Sequence, residues 1–358
     1  MKTLSFIHRW TGGFLGLILA ILGLSGTILL WEGEWISLPH AGDPLVENVR
    51  TIGQIAERQA ATGALRITFA SDEIGLHHVA KEGGAGAYIA QDGTTVAQWV
   101  SQWERPELWI FDLHHHLFYG HTGELIAGWA GVAGLIFVIT GTILWWRSRR
   151  AFKLRLWPKK FQPGPIVAHH RDIGIIIAPL LLLRFLTGTA MIFDDVTKAV
   201  LSPFGKIEGR SKPPEVEPAQ GPAPIAQMLA EAKARFPQAE LRRLTFPSKP
   251  GQPWSIRMRQ PHEWTPNGRT SLTFDGQGRL LKVDDPSTGS KAASINEKLY
   301  PLHASKVGGL GYKLLMTVTG LGLTLLGALA TWSFWFRKAK KRRRPEVARA
   351  GLEAAAAG

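Results

Sequence analysis

The 358-residue chain contains no cysteine. Disulfides, thiolate chemistry, cysteine-held iron–sulfur clusters and covalent c-type haem attachment are thereby excluded. Any redox group must be held by other side chains, and the twelve histidines are the obvious supply. No G-x-G-x-x-G turn sits on a strand–helix unit, so the chain offers no nucleotide- or flavin-binding domain. Acidic residues are also scarce, 28 against 42 Lys and Arg, for a net charge of +14. In a soluble protein that balance would point to nucleic acid; here the placement of the charges argues against it.

Mean hydropathy is near zero, but the average hides four almost wholly apolar runs: Phe14–Trp31, Ile126–Trp146, Ile173–Phe193 and Leu310–Phe336. Each has roughly the 20 residues needed to cross a hydrocarbon core of ~30 Å. Basic residues cluster at alternate ends. Lys2 and Arg9 precede the first run, Arg147 to Lys160 follow the second, and Arg337 to Arg344 follow the fourth. This is the positive-inside pattern, with anionic lipid rather than nucleic acid as the neighbour. The first run ends in Trp31 and Glu32 without a small-residue cleavage site, so it reads as an uncleaved anchor.

The expected order is 1–31 a first span with a short inside tail, 32–113 an outside domain, 114–146 a second span and 147–169 a basic inside loop. Then follow 170–193 a third span, 194–302 a second outside domain, 303–336 a fourth span and 337–358 a basic inside tail. Both termini are thus expected in the cytoplasm. Each outside domain opens with a helical stretch, Ile52–Ala61 or Pro224–Arg235, followed by short strand-like runs with Asp-Gly turns at Asp92-Gly93 and Asp275-Gly276. The proline-rich segment Arg210–Pro224 reads as a linker.

The two halves repeat. Arg66-Ile67-Thr68-Phe69 parallels Arg243-Leu244-Thr245-Phe246. Spans 1 and 3 both open H-R-x-x-G, at His8-Arg9 and His170-Arg171, and both carry Gly-Thr further on, at Gly26-Thr27 and Gly188-Thr189. Spans 2 and 4 are both preceded by Leu-His, at Leu113-His114 and Leu302-His303. The expected architecture is therefore a four-helix membrane bundle of two parallel repeats, related by an axis along the membrane normal, with two small α+β domains outside.

Topology and repetition together sort the histidines. His8 and His170 are equivalent at the inner level, and His114 and His303 at the outer level. A two-fold axis down the bundle would bring each pair together, and two facing imidazoles form an axial ligand pair for haem. Two levels imply two b-type haems per chain. The 18 residues from His8 to Gly26, and from His170 to Gly188, make a whole number of turns at ~100° per residue and a rise of ~27 Å. Each glycine thus shares a face with its histidine and leaves room at the outer level for a macrocycle. Arg9 and Arg171 are placed to hold propionates. Arg184, mid-span, is expected to face the bundle interior, towards a propionate, a quinone or backbone carbonyls. His169 is an alternative to His170, and the triplet His114-His115-His116 leaves the outer ligand's register open. His77, His78 and His262 are expected at the surface.

The H-R-W-x-G opening, the L-H-x-x-L-F-x-G-x-x-G stretch at Leu113–Gly123, the second H-R-x-x-G and the stretch Pro301–Gly309 resemble the PepSY-associated transmembrane family. That group includes iron-regulated inner-membrane proteins and ferric-siderophore reductases of bacteria. The resemblance covers nearly the whole chain and implies PepSY-like periplasmic domains and an oxidoreductase of the inner membrane. It carries haem ligation onto His8, His114, His170 and His303, and ferric-siderophore or another ferric chelate as the acceptor. With no nucleotide domain, the donor is expected to be a membrane quinol or a separate cytoplasmic reductase. The outside segment 194–302 has 16 Lys and Arg against 12 Asp and Glu, whereas 32–113 has 5 against 12, so the former suits an anionic chelate better. Two other readings remain at this stage: an electron carrier for a different periplasmic acceptor, and a regulator without haem that restrains a periplasmic partner.

Overall fold

The computed structural model describes residues 2–207, 216 and 221–356, with side chains in the last helix as far as Trp335. The expected linker Arg210–Pro224 lies, apart from Val216 and residues 221–224, outside the described residues. Four helices are long and apolar enough to cross a membrane: Lys2–Leu30 (span 1), Gly120–Ser148 (span 2), Pro163–Ile192 (span 3) and Gly309–Ala356 (span 4), the last apolar as far as Trp335. Each contains its expected apolar run almost whole. The first three begin earlier, because a helix end needs its backbone groups paired and does not need apolar side chains.

The chain divides into two compact units. One holds the four spans and the stretch from Phe111 to Phe193; the other holds Trp31–Ile110 and Asp194–Val307. Within the first, span 1 packs mainly on span 4 and span 2 on span 3, and the contacts of span 1 with span 2 and of span 3 with span 4 close the ring. Lipid tails are as apolar as leucine, so close backbone approach through small residues carries this association. Thr27 of span 1 sits on Gly320 of span 4, and Thr189 of span 3 sits on Gly131 of span 2. Those two contacts join equivalent positions of the repeated sequence. Further along the first seam, Gly16 faces the backbone of Gly327, where a side chain at either position would collide.

The second unit is one antiparallel sheet of eight strands in the order β4-β3-β2-β1-β5-β6-β7-β8. The first four are Arg66–Thr68, Leu76–Ala80, Gly86–Ala90 and Thr95–Trp99; the others are Glu240–Thr245, Trp254–Arg259, Thr270–Phe274 and Leu280–Asp284. Each half is thus a four-strand meander preceded by a helix, Val49–Ala60 or Ile225–Arg235. Strand β4 was not anticipated beyond its Asp92-Gly93 turn.

The two separate outside domains expected from the sequence are here one body. Strand β1 pairs with β5 with Arg66 opposite Thr245, Ile67 opposite Leu244 and Thr68 opposite Arg243. The segments that repeat in sequence are thus the ones that meet, two-fold fashion. The physical reason is the edge: a three-residue β1 left unpaired would expose its backbone groups, and β5 satisfies them. Both helices lie on one face over a common core that includes Ile55, Ile67, Met228, Leu229, Leu244 and Ile256. Gly53 lets the first helix come against Ala226 of the second, where an added Cβ would lie 3.1 Å from the alanine Cβ.

One histidine departs from its expected place. His77 is 2% exposed, because β2 is an inner strand of the sheet and His77 falls on its covered, helix-side face. It accepts a hydrogen bond from the Ala70 backbone N–H (3.0 Å) and packs edge-on to Phe69. His78 is half-buried between Tyr88 and Trp99, whereas His262 is at the surface as expected.

Candidate cofactor site in the span bundle

Spans 1 to 4 enclose a cavity of about 540 Å³, within the usual size of small-molecule sites. Its wall includes His8, Arg9, Gly12 and Gly16 of span 1, Gly141 of span 2, and His170, Arg171 and Gly174 of span 3. Glycine at these positions keeps the wall low where larger side chains would fill the space.

His8 and His170 face each other with ring centroids 6.3 Å apart and planes nearly perpendicular. A metal bonded at ~2.0–2.1 Å to one nitrogen of each imidazole would place the centroids roughly 6 Å apart, so the spacing fits an axial pair. Among the described residues no three His, Asp or Glu side chains gather as a metal-ion cluster. Two protein ligands suit a macrocycle that brings its own equatorial nitrogens better than they suit a bare ion.

Hydrogen bonding fixes the tautomer of His8. The Thr140 hydroxyl donates to the Ile136 carbonyl (2.7 Å), so its oxygen accepts from Nδ1–H of His8 (2.8 Å). The Nε2 lone pair of His8 is thereby left for a ligand. His170 has the Leu326 backbone of span 4 as a neighbour. In the repeat, span 4 has Leu329 where span 2 has Thr140, so that position offers His170 no hydroxyl.

His169, the alternative to His170, is turned away: it is fully buried with Nε2 3.2 Å from the Leu156 carbonyl, and it is not in the cavity wall. Arg171 lines the cavity but is engaged with Asp172 (2.8 Å) and the Ala151 carbonyl (2.7 Å). Asp172, fully buried, also binds Arg155 and the Lys153 N–H, tying the basic loop to span 3. Arg9 is exposed at the cavity mouth and makes no ion pair among the described residues, so it is the better placed cation for an anionic substituent. Arg184 is buried and donates to the Met316 carbonyl of span 4 (2.9 Å); it does not line the cavity.

At the other end, His114 is the member of its triplet that faces span 1. Ser25 donates to the Ile21 carbonyl (2.8 Å) and accepts from Nδ1 of His114 (3.0 Å). Gly26 makes room for that ring: an added Cβ would stand 2.6 Å from His114 Cε1. The glycine therefore seats the histidine of span 2. His115 stacks on Phe111, while His116 and His121 bond to Asp112 and Glu124. Gly188 is half-buried in span 3 beside Thr189. His303 ends the short helix Leu299–His303, which belongs to the sheet unit rather than to the span unit. The cavity level thus brings together His8, His170, Arg9 and Arg171, while Gly26 is brought to His114.

Thr140, Ser25 and Asp172 carry positions that sequence reasoning did not assign. Thr140 and Ser25 are isolated hydroxyls in apolar runs, a faint signal; Asp172 is a carboxylate at the mouth of a span, a stronger one.

Four apolar helices around a histidine-faced cavity, with a separate antiparallel sheet, define a polytopic membrane protein with a candidate cofactor site inside its bundle. The chain belongs to the PepSY-associated TM region family, whose model matches residues 6–338. No curated protein gives a significant match.

Proposed function

We propose that this protein is a b-type cytochrome of the bacterial inner membrane that passes electrons outward to a ferric chelate such as a ferric-siderophore. The observation that carries this reading is the His8–His170 pair. The two imidazoles stand at axial-ligand spacing in a cavity of small-molecule size, and His8 has one nitrogen held by a hydrogen bond and the other presenting a lone pair. Haem held there supplies a one-electron couple. The chain supplies orientation, through Thr140, and a low-dielectric path. Arg9 supplies a cation for a propionate.

A second haem, with His114 and His303 as ligands, rests on the repetition of the sequence. The repetition also supports a bundle of two parallel repeats and PepSY-type halves in the sheet unit. The ferric ion is substrate. One electron converts Fe(III), bound tightly by hard oxygen donors, to the larger and less charged Fe(II), and the chelate lets go. The electron comes from a membrane quinol or a cytoplasmic reductase. Orientation follows the basic flanks, with both termini in the cytoplasm.

The deciding experiment is an absorbance spectrum of the purified chain. A b-type Soret band at about two haems per chain, lost in part in His8→Ala and His170→Ala alike, is the expected result. A haem-free protein would overturn the reading in favour of the regulator. Haem retained in both mutants would remove His8 and His170 as ligands.

A further inference from the structure

The ends of spans 1 and 2 that carry the basic flanks frame an open groove of about 500 Å³. Its lining is Lys2, Ser5, Phe6 and Arg9 of span 1 with Leu144 and Arg147 of span 2. Three of these side chains are cations and none is an acid. Lys2, Arg9 and Arg147 are exposed and make no ion pair among the described residues. Unpaired cations are ordinary in a basic flank. What marks this place is that three of them, drawn from two helices, converge on one concave site.

The duplication supplies an internal comparison. With His8 aligned to His170 and Thr140 to Leu329, the six positions correspond in spans 3 and 4 to Gly164, Val167, Ala168, Arg171, Ser333 and Phe336. Only Arg171 is a cation there, and it is held by Asp172 and by the Ala151 carbonyl. Where span 3 has Asp172, span 1 has Trp10, so Arg9 lacks the adjacent carboxylate of its counterpart. The basic groove is therefore a property of one half and not of the architecture both halves share. Orienting a span needs basic residues at its end, but it does not need them gathered around a concavity without an acid.

We propose that this groove binds a phospholipid whose headgroup carries two phosphates. Basic pockets between membrane helices suit such headgroups. The forks of Arg9 and Arg147 match phosphate oxygens, Lys2 adds a point charge and Ser5 a hydroxyl donor. Three cations balance two phosphates better than one. The apolar surroundings commit the site to a lipid rather than to free phosphate. Arg147 heads a stripe of span 2 on which Ile143, Ile139 and Ile136 follow at helical spacing, all of them exposed. Acyl chains of a lipid seated in the groove have that stripe to lie on, and exposed Phe6 adds apolar surface beside the headgroup. Arg9 borders the groove and the cavity alike, and a guanidinium has donors enough for an anion on either side. The proposal stands on the spans and is independent of the electron-carrier reading.

The test titrates the purified full chain, in a neutral detergent, with cardiolipin, phosphatidylglycerol and phosphatidylcholine, and counts bound lipid by native mass spectrometry. Wild type should bind cardiolipin most tightly and phosphatidylcholine least, with cardiolipin affinity falling as salt rises. Lys2→Gln and Arg147→Gln should each weaken cardiolipin binding about fivefold, roughly the worth of one basic residue beside an anionic headgroup. Arg150→Gln, an exposed cation of the same flank outside the groove, should bind as wild type does. If a Gln variant fails to insert, Arg147→Lys keeps the flank charge and loses the fork, and about twofold weakening is expected of it. Wild-type affinity in the groove variants, or an equal loss in Arg150→Gln, would overturn the site in favour of diffuse surface charge. Phosphatidylglycerol bound as tightly as cardiolipin would overturn the two-phosphate headgroup. Pyrophosphate that displaces cardiolipin at equal concentration would overturn the lipid. A haem-free chain that still binds cardiolipin through Lys2 and Arg147 leaves the groove standing and removes only the electron carrier. A haem-loaded chain that ignores cardiolipin does the reverse.

Discussion

At the scale of single residues, the chemistry depends on which imidazole nitrogen is left open. Thr140 decides this for His8, because its own hydrogen is committed to Ile136. Thr140→Val removes the acceptor while keeping the shape. A hydrogen bond that orients a ligating imidazole is typically worth about 10–100-fold in affinity, so the variant should bind haem on that order more weakly at the inner site, with protein level retained. Haem titration of the apoprotein measures it; unchanged affinity would mean that Thr140 does not orient the ligand. Gly26 poses the complementary steric case. Any side chain there meets the His114 ring, so Gly26→Leu should displace that histidine and leave His8 and His170 untouched.

His77 shows how a residue can be placed by parity within a strand. Burial holds its pKa at about 4, down from the 6.5 of an ordinary histidine. In the unfolded chain it binds a proton between those values, so the folded state loses stability as pH falls from about 6.5 to about 4 and gains nothing above that window. The full shift corresponds to roughly 3 kcal/mol. Melting curves of wild type and His77→Gln, taken across this window, should differ in slope, with the variant flatter. Equal slopes would place the titration elsewhere, with His78, held to about 4 as well, the first residue to examine.

Among the elements, the β1–β5 seam joins the halves of the sheet unit. Ile67, fully buried in the core shared by both halves, lies at the centre of that seam. Ile67→Ala should cost about 2–5 kcal/mol. Because one sheet serves both halves, that loss should lower a single transition of the unit. Two separate transitions, with only the first shifted, would mean that the halves fold independently. In the bundle the corresponding devices are the close contacts of Thr27 with Gly320 and of Thr189 with Gly131. These pairs use the Gly-Thr repeat visible in the sequence, where the glycine drew attention and the threonine makes the interhelical contact.

For the whole molecule, orientation is the first thing to establish. A cytoplasm-specific reporter fused after Arg344 should be active, and the same reporter inserted near Gly221 should be silent. The reverse pattern would invert the inner and outer levels of the histidines. The sequence by itself determined the four apolar spans, because a run of about 20 apolar residues suits a hydrocarbon core, and it carries the basic flanks on which the proposed orientation rests. It also determined the duplication, and through it the pairing of His8 with His170, because equivalent residues of a repeat occupy equivalent positions. Short strands such as Leu76–Ala80 and Thr270–Phe274 were legible from their alternation and their turns. Only the tertiary structure decided that the two outside segments share one sheet, since strand partners far apart in sequence leave no local trace. It alone assigned the hydrogen bonds of Thr140 and Ser25 to His8 and His114, which depend on where neighbouring helices bring a hydroxyl. Lys2, Arg9 and Arg147 reached one groove in the same way. In sequence they belong to two separate basic flanks, and the packing of span 1 against span 2 makes them neighbours.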